Sequence, residues 1–483
     1  MRRELVLASL LFVAVLGSRA PFAAHTLWAH DSVLYAGAIE RGFHVDDDPL
    51  RQRPHPPGYI LYVASADVAY AGGLGSNEAL IAISALASAL SAAAIFLFAR
   101  RWVHDAVALV AAAAFAANPL VWQYSEIAYP YAVLGLGSLA VAIALRVARG
   151  RGLAPMLLAS VAFAIAGGFR QDLLVLLSPL WLWAVAPLGW RRAAVACAAA
   201  ALGGLLWLVP TVVLSGGIDE YAQALASQAS YVGEAYSVAA QGAPAFIANL
   251  SATTWAVGWG LFAMAPLTIA ALFGLNRRRD DDAMFVALWT LPALALYVVL
   301  HIGDWGYALS ALPGLYIAGA RVLERVIASL AATQRAPAIR AAWASLVVAP
   351  GLVFALGSGP FSATAIARHD GALAARVAYV KANYAPRTTL ILTREDHLLV
   401  RYYLPEYRAR QYDPEPFTHA SRRMRTSRVE RVVVFTEGLT PERAGDVRRV
   451  QCSKGIELVY LDVAPGSVLE FRGERYAIAS PPP

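Results

Sequence analysis

The sequence predicts an all-α polytopic membrane protein of about eleven transmembrane helices with an outer juxtamembrane helix, followed by a small C-terminal α/β soluble domain. Composition is the first reason: of 483 residues, 58% are hydrophobic and only 15% charged, with mean hydropathy +0.52, whereas a soluble globular chain is about a quarter charged. An ordinary soluble enzyme is thereby excluded. The second reason is where the charges lie. Residues 360–483 hold 19 Lys/Arg and 14 Asp/Glu, leaving 21 and 19 for the first 359, so the chain reads as a membrane body over 1–359 and a soluble domain over 360–483. The third reason is a succession of apolar runs long enough, at 1.5 Å per residue, to cross a hydrocarbon core of roughly 30 Å.

Those runs lie near 5–22, 79–99, 105–121, 128–146, 153–168, 173–189, 193–214, 251–274, 283–300, 306–320 and 342–359. The first could pass for a signal peptide; with no clear A-x-A site after it and ten more runs to come, it is read as an uncleaved span. The stretch 57–73 is ambiguous, and charge parity decides it. With eleven spans and a cytoplasmic N-terminus, 16 arginines of the body face the cytoplasm and five, Arg19, Arg41, Arg51, Arg53 and Arg170, face outward. If 57–73 crossed, the split would become 3 to 18, against the positive-inside rule. The stretch is therefore expected to lie along the outer surface as an interfacial helix, with Asp67 on its polar side. The odd span count also puts the C-terminal domain outside. Thirteen of the nineteen acidic residues of the body are then external, so the outer face, with large loops at 23–78 and about 215–250, is where chemistry is expected.

In the C-terminal domain, residues 371–384 have helical spacing, and 388–393, 431–435 and 456–463 read as strands. It shows no Gly-rich phosphate loop and no nucleophile motif. Cys197 and Cys452 are poorly placed to pair, so neither a disulfide framework nor a Cys-based zinc site is expected. The net charge of +7 comes largely from arginines beside apolar runs, which anchor helices at a membrane surface; nucleic acid is not an expected partner. Lys381 and Lys454 are the only lysines. This Arg bias and the Ala richness suggest a GC-rich bacterial genome and hence a bacterial inner membrane.

The first outer loop is the most informative segment. Asp31 stands at the exit of the first span, where a carboxylate can act as general base on an acceptor hydroxyl or merely cap the helical stretch that follows. Arg53 and His55 can hold a departing phosphate or brace the loop against lipid headgroups. Asp46, Asp47 and Asp48 could bind a divalent cation through oxygens, although a triple Asp in a loop is ordinarily solvated. Glu126 lies between Tyr124 and Tyr129 at the outer junction of the third and fourth spans, where an ionisable group is costly unless paired or used. Arg170 and Asp172, in GGFRQD, form either a structural pair or a phosphate clamp with its orienter. His301, Asp304 and Tyr307, in HIGDWGY, face the same side and can equally be interfacial aromatics with a helix cap.

Asp31 with Tyr35, HPPGYILY (55–62), SALASAL (84–90) and NPLVWQYSEIAYPY (118–131) together resemble the polytopic GT-C glycosyltransferases. The likeness is greatest to the branch with an HPPGYPLY-type motif and a later W…E-[VI]-Y motif, related to the protein O-mannosyltransferases and to the aminoarabinose and lipopolysaccharide-core transferases. It covers roughly residues 28–150. It implies a catalytic carboxylate in the first outer loop, a juxtamembrane helix after it and a polyprenyl-phosphate sugar donor. On this likeness Asp31 matches the catalytic carboxylate, and His55 stands where some relatives have a donor-contacting Lys. His30 replaces one acid of the acidic pair of many relatives, which argues against a two-carboxylate metal site.

The expected function is therefore a hexosyl or pentosyl transferase that moves a sugar from a polyprenyl-phosphate donor to a hydroxyl of a protein, lipid or polysaccharide acceptor on the non-cytoplasmic face. Asp31 and Glu126 are the catalytic candidates, and Arg53, His55 and Arg170 the donor-phosphate candidates. Tyr35, Tyr129, Asp172, His301, Asp304 and Tyr307 are candidates for substrate binding. No cofactor is expected beyond a possible divalent cation. A transporter or flippase, the alternative, would show paired helix breaks in two matching halves and ionisable groups at mid-membrane depth; neither is visible. A second rival is a non-catalytic scaffold whose outer domain does the work.

Overall fold

Backbone groups in hydrocarbon find no water to bond, so apolar runs in a membrane body must close their hydrogen bonds internally as helices. The computed structural model describes the chain except residues 1, 276–280, 333–338, 340, 342, 412–421, 426–427, 436–439, 442–446, 465, 473–474 and 480–483. It divides into two compact units, Met1–Ala24 with Tyr35–Ile366, and His25–Leu34 with Ala367–Pro483. The rise in charge density at 360 falls close to the second boundary. The segment His25–Leu34 goes with the C-terminal unit instead of the body, a long-range association that a linear reading of the chain does not contain.

The first unit is helical. Its elements are α1 (Arg2–Arg19), α2 (His30–Arg41, whose first turn belongs to the second unit), α3 (Ile60–Ala71), α4 (Ser76–Ala99), α5 (Asp105–Ala117), α6 (Pro119–Glu126), α7 (Tyr131–Ala148), α8 (Leu153–Phe169), α9 (Asp172–Val185) and α10 (Trp190–Leu214). They continue with α11 (Ile218–Tyr236), α12 (Val238–Gln241), α13 (Ala243–Leu261), α14 (Ala265–Leu275), α15 (Asp281–Val299), α16 (Leu312–Ala332) and α17 (Ala349–Leu356). Among the described residues, six helices are long and apolar enough to cross a membrane, or seven if the bent pair α5–α6 is one span. The expected eleven exceeds this, because several expected runs fold as shorter apolar helices: Leu153–Phe169, Asp172–Leu188 and Ser345–Leu356.

The ambiguous stretch 57–73 forms α3, whose twelve residues rise only about 18 Å. The expected loop at 215–250 is instead largely helical, since Ala, Gln and Glu favour helix, with breaks at Gly216-Gly217, Ser237 and Gly242. The 57° bend between α5 and α6 is set by Asn118-Pro119. Asn118 Oδ1 accepts from Leu120 N (2.9 Å) and Val121 N (3.2 Å), and Pro119 opens the new helix.

Ion pairs gather at one end of this unit. Arg100 bonds Glu4 (3.0 Å) and Asp105 (2.6 Å), while Asp282 receives Arg146 (2.7 Å) and Trp102 Nε1 (2.8 Å), with Arg321 4.0 Å away. Arg146 lies in the last turn of α7. The tyrosine cluster described below is at the first turn of the same helix.

The second unit is mixed α and β, with the helical stretch following Ile366 belonging to α18 (Ala363–Asn383), and α19 (His397–Tyr403). Its larger sheet has β2 (Arg408–Gln411), β1 (Thr389–Thr393), β4 (Arg431–Val434), β7 (Ile456–Asp462) and β6 (Arg448–Ser453) in that spatial order. The pairs β2–β1 and β1–β4 are parallel, and β4–β7 and β7–β6 antiparallel. The three strands expected from sequence are its centre, where Leu390, Leu392, Val432, Val434 and Leu461 form one apolar core. The edge strands RARQ and RRVQCS are polar and largely exposed, which conceals them from a hydrophobicity reading. A smaller sheet orders β3 (Arg422–Arg425), β8 (Val468–Arg472), β9 (Arg475–Ala479) and β5 (Thr440–Pro441).

Candidate active site

Arg170 follows the last turn of α8 and is only 3% exposed. Its Nη2 and Nε donate to Asp172, at 3.1 and 3.3 Å. Its guanidinium carbon lies 4.8 Å from the Tyr59 ring centre, 4.9 Å from that of Tyr131 and 4.8 Å from that of Tyr307, all within cation–π range. Burial opposes the charge, but Asp172 and the surrounding tyrosines hold the pKa of Arg170 above the ordinary arginine value. One cation thus joins four stretches far apart in sequence: HPPGY, SEIAYPY, FRQD and DWGY.

Further contacts extend the cluster within the first unit. Tyr124 Oη donates to Asp304 Oδ1, which also accepts from Gly306 N (2.8 Å). Tyr129 and Tyr124 pack on Tyr131, with ring centres 5.3 and 5.2 Å away. Ser84 of SALASAL donates to the Tyr129 carbonyl (2.7 Å). Tyr35, 1% exposed, meets Tyr59 and Tyr62 edge to face. His55 is half-buried, edge-on to Tyr59, with Nδ1 2.7 Å from the Pro56 carbonyl. Gln171 Nε2 (3.4 Å) and Tyr221 Oη (3.3 Å) both donate to the Pro57 carbonyl, tying HPPGY to FRQD and to α11. A cleft of about 440 Å³ opens between α3, α4, α7 and α8, lined by Ser65, Leu86, Leu90, Leu136 and Ile165, and by Phe169 next to Arg170.

Other expected site residues stand elsewhere. Glu126 is fully buried; Trp122 Nε1 donates to its Oε1 (3.0 Å), and the Arg19 guanidinium stacks 4.5 Å from the Trp122 ring centre. Arg19 also donates to Ser88 Oγ (3.1 Å) and the Ala116 carbonyl (2.7 Å). His301 stacks on Tyr236 (4.2 Å), and burial lowers its pKa. Arg53 is half-buried. In the triple Asp, Asp46 accepts from Arg51 (2.9 Å) and Asp48 N (3.0 Å), and Asp48 accepts from Leu50 N (3.0 Å), capping the turn Pro49–Arg51. Among the described residues no group of three or more His, Cys, Asp or Glu is arranged to hold a metal ion.

Asp31 lies in the first turn of α2, half-buried, and belongs to the second unit. There, Asp370 Oδ2 accepts from His25 N (2.7 Å), and its Oδ1 accepts from Thr26 N (3.0 Å) and Thr26 Oγ1 (2.5 Å). Burial alone would raise the Asp370 carboxyl. Hydrogen bonds from His369, Thr26 and the His25 and Thr26 amides outweigh it and hold the pKa below the usual carboxylate value. Tyr403 Oη accepts from Leu27 N (2.8 Å), and Trp28 packs on His369 with ring centres 4.5 Å apart. Sequence reading missed Asp370, Tyr403, Tyr59 and Arg19. HPPGY contained Tyr59 and the FRQD pair was visible, but nothing local marks Asp370 as a partner of residues some 345 positions away.

No family model and no curated protein matches the sequence. Among solved structures the chain is similar to ArnT from Cupriavidus metallidurans bound to undecaprenyl phosphate, with TM-score 0.58 and 14% identity over 95% of this chain and 97% of that one. It is similar to the same protein in the apo state, with TM-score 0.57 at the same identity and coverage. The archaeal oligosaccharyltransferase AglB from Archaeoglobus fulgidus aligns with TM-score 0.49 and 13% identity over 89% of this chain and 69% of that one. The likeness to the O-mannosyltransferase branch has no counterpart among these matches. What the chain shares with ArnT is its fold.

Proposed function

We propose that this chain is a membrane glycosyltransferase that moves a sugar from a polyprenyl-phosphate donor to a hydroxyl acceptor on the non-cytoplasmic face, with its N-terminus in the cytoplasm. The observation that carries the reading is the convergence of HPPGY, SEIAYPY, FRQD and DWGY on the single buried cation Arg170, in a chain whose fold is that of ArnT. The apolar cleft beside Phe169 gives part of a prenyl chain an apolar lining next to this cluster.

In the proposed reaction Asp31 accepts the proton of the acceptor hydroxyl. The acceptor oxygen bonds the anomeric carbon as the bond from that carbon to the phosphate oxygen breaks, and the electron pair leaves with the prenyl phosphate. Arg53 and His55 stabilise the charge that grows on the phosphate. Arg170, sealed by three rings and Asp172, fixes the segments that meet on it. Positioned proton transfer contributes about 10²–10⁴-fold, so Asp31→Asn in the full chain should lower the initial rate of sugar transfer at least about 100-fold. Transfer at the parent rate by a folded Asp31→Asn chain would remove Asp31 from the role and turn attention to Glu126.

A further inference from the structure

Within the second unit, three successive backbone amides ahead of Asp31 are held by side chains from beyond residue 366. The His25 and Thr26 amides donate to the two oxygens of one carboxylate, Asp370, and the Leu27 amide donates to Tyr403 Oη. Thr26 adds its hydroxyl to the same carboxylate, and Trp28 closes on His369. Thr26 and Leu27 are buried, α2 begins at His30, and the Ala29 carbonyl accepts from Val33 N (3.3 Å). Three residues after the grip, the chain is therefore committed to a helix whose first turn carries Asp31. Bonds to a carboxylate are charge-assisted and short, and a carboxylate that holds two adjacent amides fixes the plane of the peptide between them as well as its position.

We infer that Asp370 and Tyr403 are positioning residues for Asp31, and that the C-terminal domain is part of the catalytic apparatus. The inference rests on the transferase reading above and assigns to the domain a role that its own motifs do not show. A base must sit within a fraction of an ångström of its productive place, and a misplacement of about 1 Å can cost about 100-fold in rate. A loop leaving a membrane helix has no such precision of its own. The Asp370 carboxylate and the Tyr403 hydroxyl supply it by holding backbone, where no rotamer freedom remains.

The test is a kinetic cycle in the full-length chain, reconstituted with a radiolabelled polyprenyl-phosphate sugar. The variants are Asp370→Ala and Tyr403→Phe, each made in the parent and in the Asp31→Asn background, with melting temperature and size-exclusion profile as folding controls. The expected result is a kcat lowered about 10–100-fold for Asp370→Ala and about 3–10-fold for Tyr403→Phe, with donor KM within about twofold of the parent. In the Asp31→Asn background neither change should lower the residual rate further, because both act through the group already removed. Asp370→Asn, which keeps one carbonyl acceptor, should recover part of the loss. Parent-like kcat in the folded variants, or equal losses in both backgrounds, would overturn the inference while leaving the transferase reading intact. If Asp370→Ala does not fold, Tyr403→Phe decides by the same criteria. A parent chain that transfers no sugar would overturn the transferase reading and this inference with it.

Discussion

Arg170 is the residue on which the body's tyrosine cluster turns, and its side-chain type matters more than its charge. A guanidinium can stack on three rings while bonding a carboxylate through two nitrogens; an ammonium cannot. Arg170→Lys should therefore destabilise the chain by about 2 kcal/mol, read as a lower melting temperature in detergent, with sugar transfer falling alongside. A melting curve like the parent's would mean that the cage adds little. Arg19, Trp122 and Glu126 form a second buried set. Glu126→Leu leaves Trp122 Nε1 without its acceptor, which should cost about 1–3 kcal/mol. The double change Arg19→Leu with Glu126→Leu should cost less than the sum of the singles. A sum that is simply additive would show the two groups to be independent. At this scale the sequence displayed the ionisable residues and the Arg170–Asp172 pair. It did not display the rings that enclose Arg170, since Tyr59, Tyr131 and Tyr307 approach it from three distant stretches.

Elements place these residues through a few demanding positions. Gly58 of HPPGY has φ +103°, and a Cβ there would lie 2.4 Å from Val45 Cγ2, so it meets both a left-handed backbone and a filled space. Gly306 presents the same problem by proximity alone, since its Cβ would lie 2.3 Å from the Tyr131 ring. Gly58→Ala and Gly306→Ala should each cost about 1–3 kcal/mol, and Gly306→Ala should reduce transfer by displacing a wall of the Arg170 cage. Unchanged melting and transfer in either would show that the segment gives way. In the second unit, His397 of α19 bonds Thr393 Oγ1 (2.9 Å), and burial, aided by Arg401, His30 and Arg410, lowers its pKa to about 4. An unfolded histidine has a pKa of about 6.5. Between those values the unfolded chain binds the extra proton, so the stability of this unit is full above pH 6.5 and falls as the pH drops toward 4. Thermal unfolding of the parent and His397→Gln at pH 7.5 and 4.5 should show a pH-dependent drop in the parent that the variant lacks. A parallel drop in both would assign it elsewhere. Helix existence and the three central strands were legible because apolar periodicity and β-branched runs determine them. The helix over 218–236 was read as loop because Asp, Glu, Gln and Ser are interspersed among its apolar residues, and the edge strands were missed because they are polar and largely exposed.

For the whole molecule, the two ends of the body carry different sets of side chains. Arg100, Arg146 and Arg321, which parity places on one side, gather with Glu4, Asp105 and Asp282, while the Arg170 cluster occupies the other end of α7. The fold class was legible in composition and run lengths, because hydrocarbon allows few alternatives. The assignment of His25–Leu34 to the C-terminal unit was not, because it depends on hydrogen bonds between residues about 345 apart. The central claim is that this fold carries out sugar transfer from a prenyl-phosphate donor. Its most direct test gives the purified full-length chain, in vesicles, a panel of polyprenyl phosphates carrying radiolabelled hexoses or pentoses, together with a membrane extract as the source of acceptors. Label from one donor should leave the prenyl-phosphate fraction and enter a protein, lipid or polysaccharide fraction, with free prenyl phosphate released in equal amount. Label that stays on the prenyl phosphate for every donor would contradict the claim.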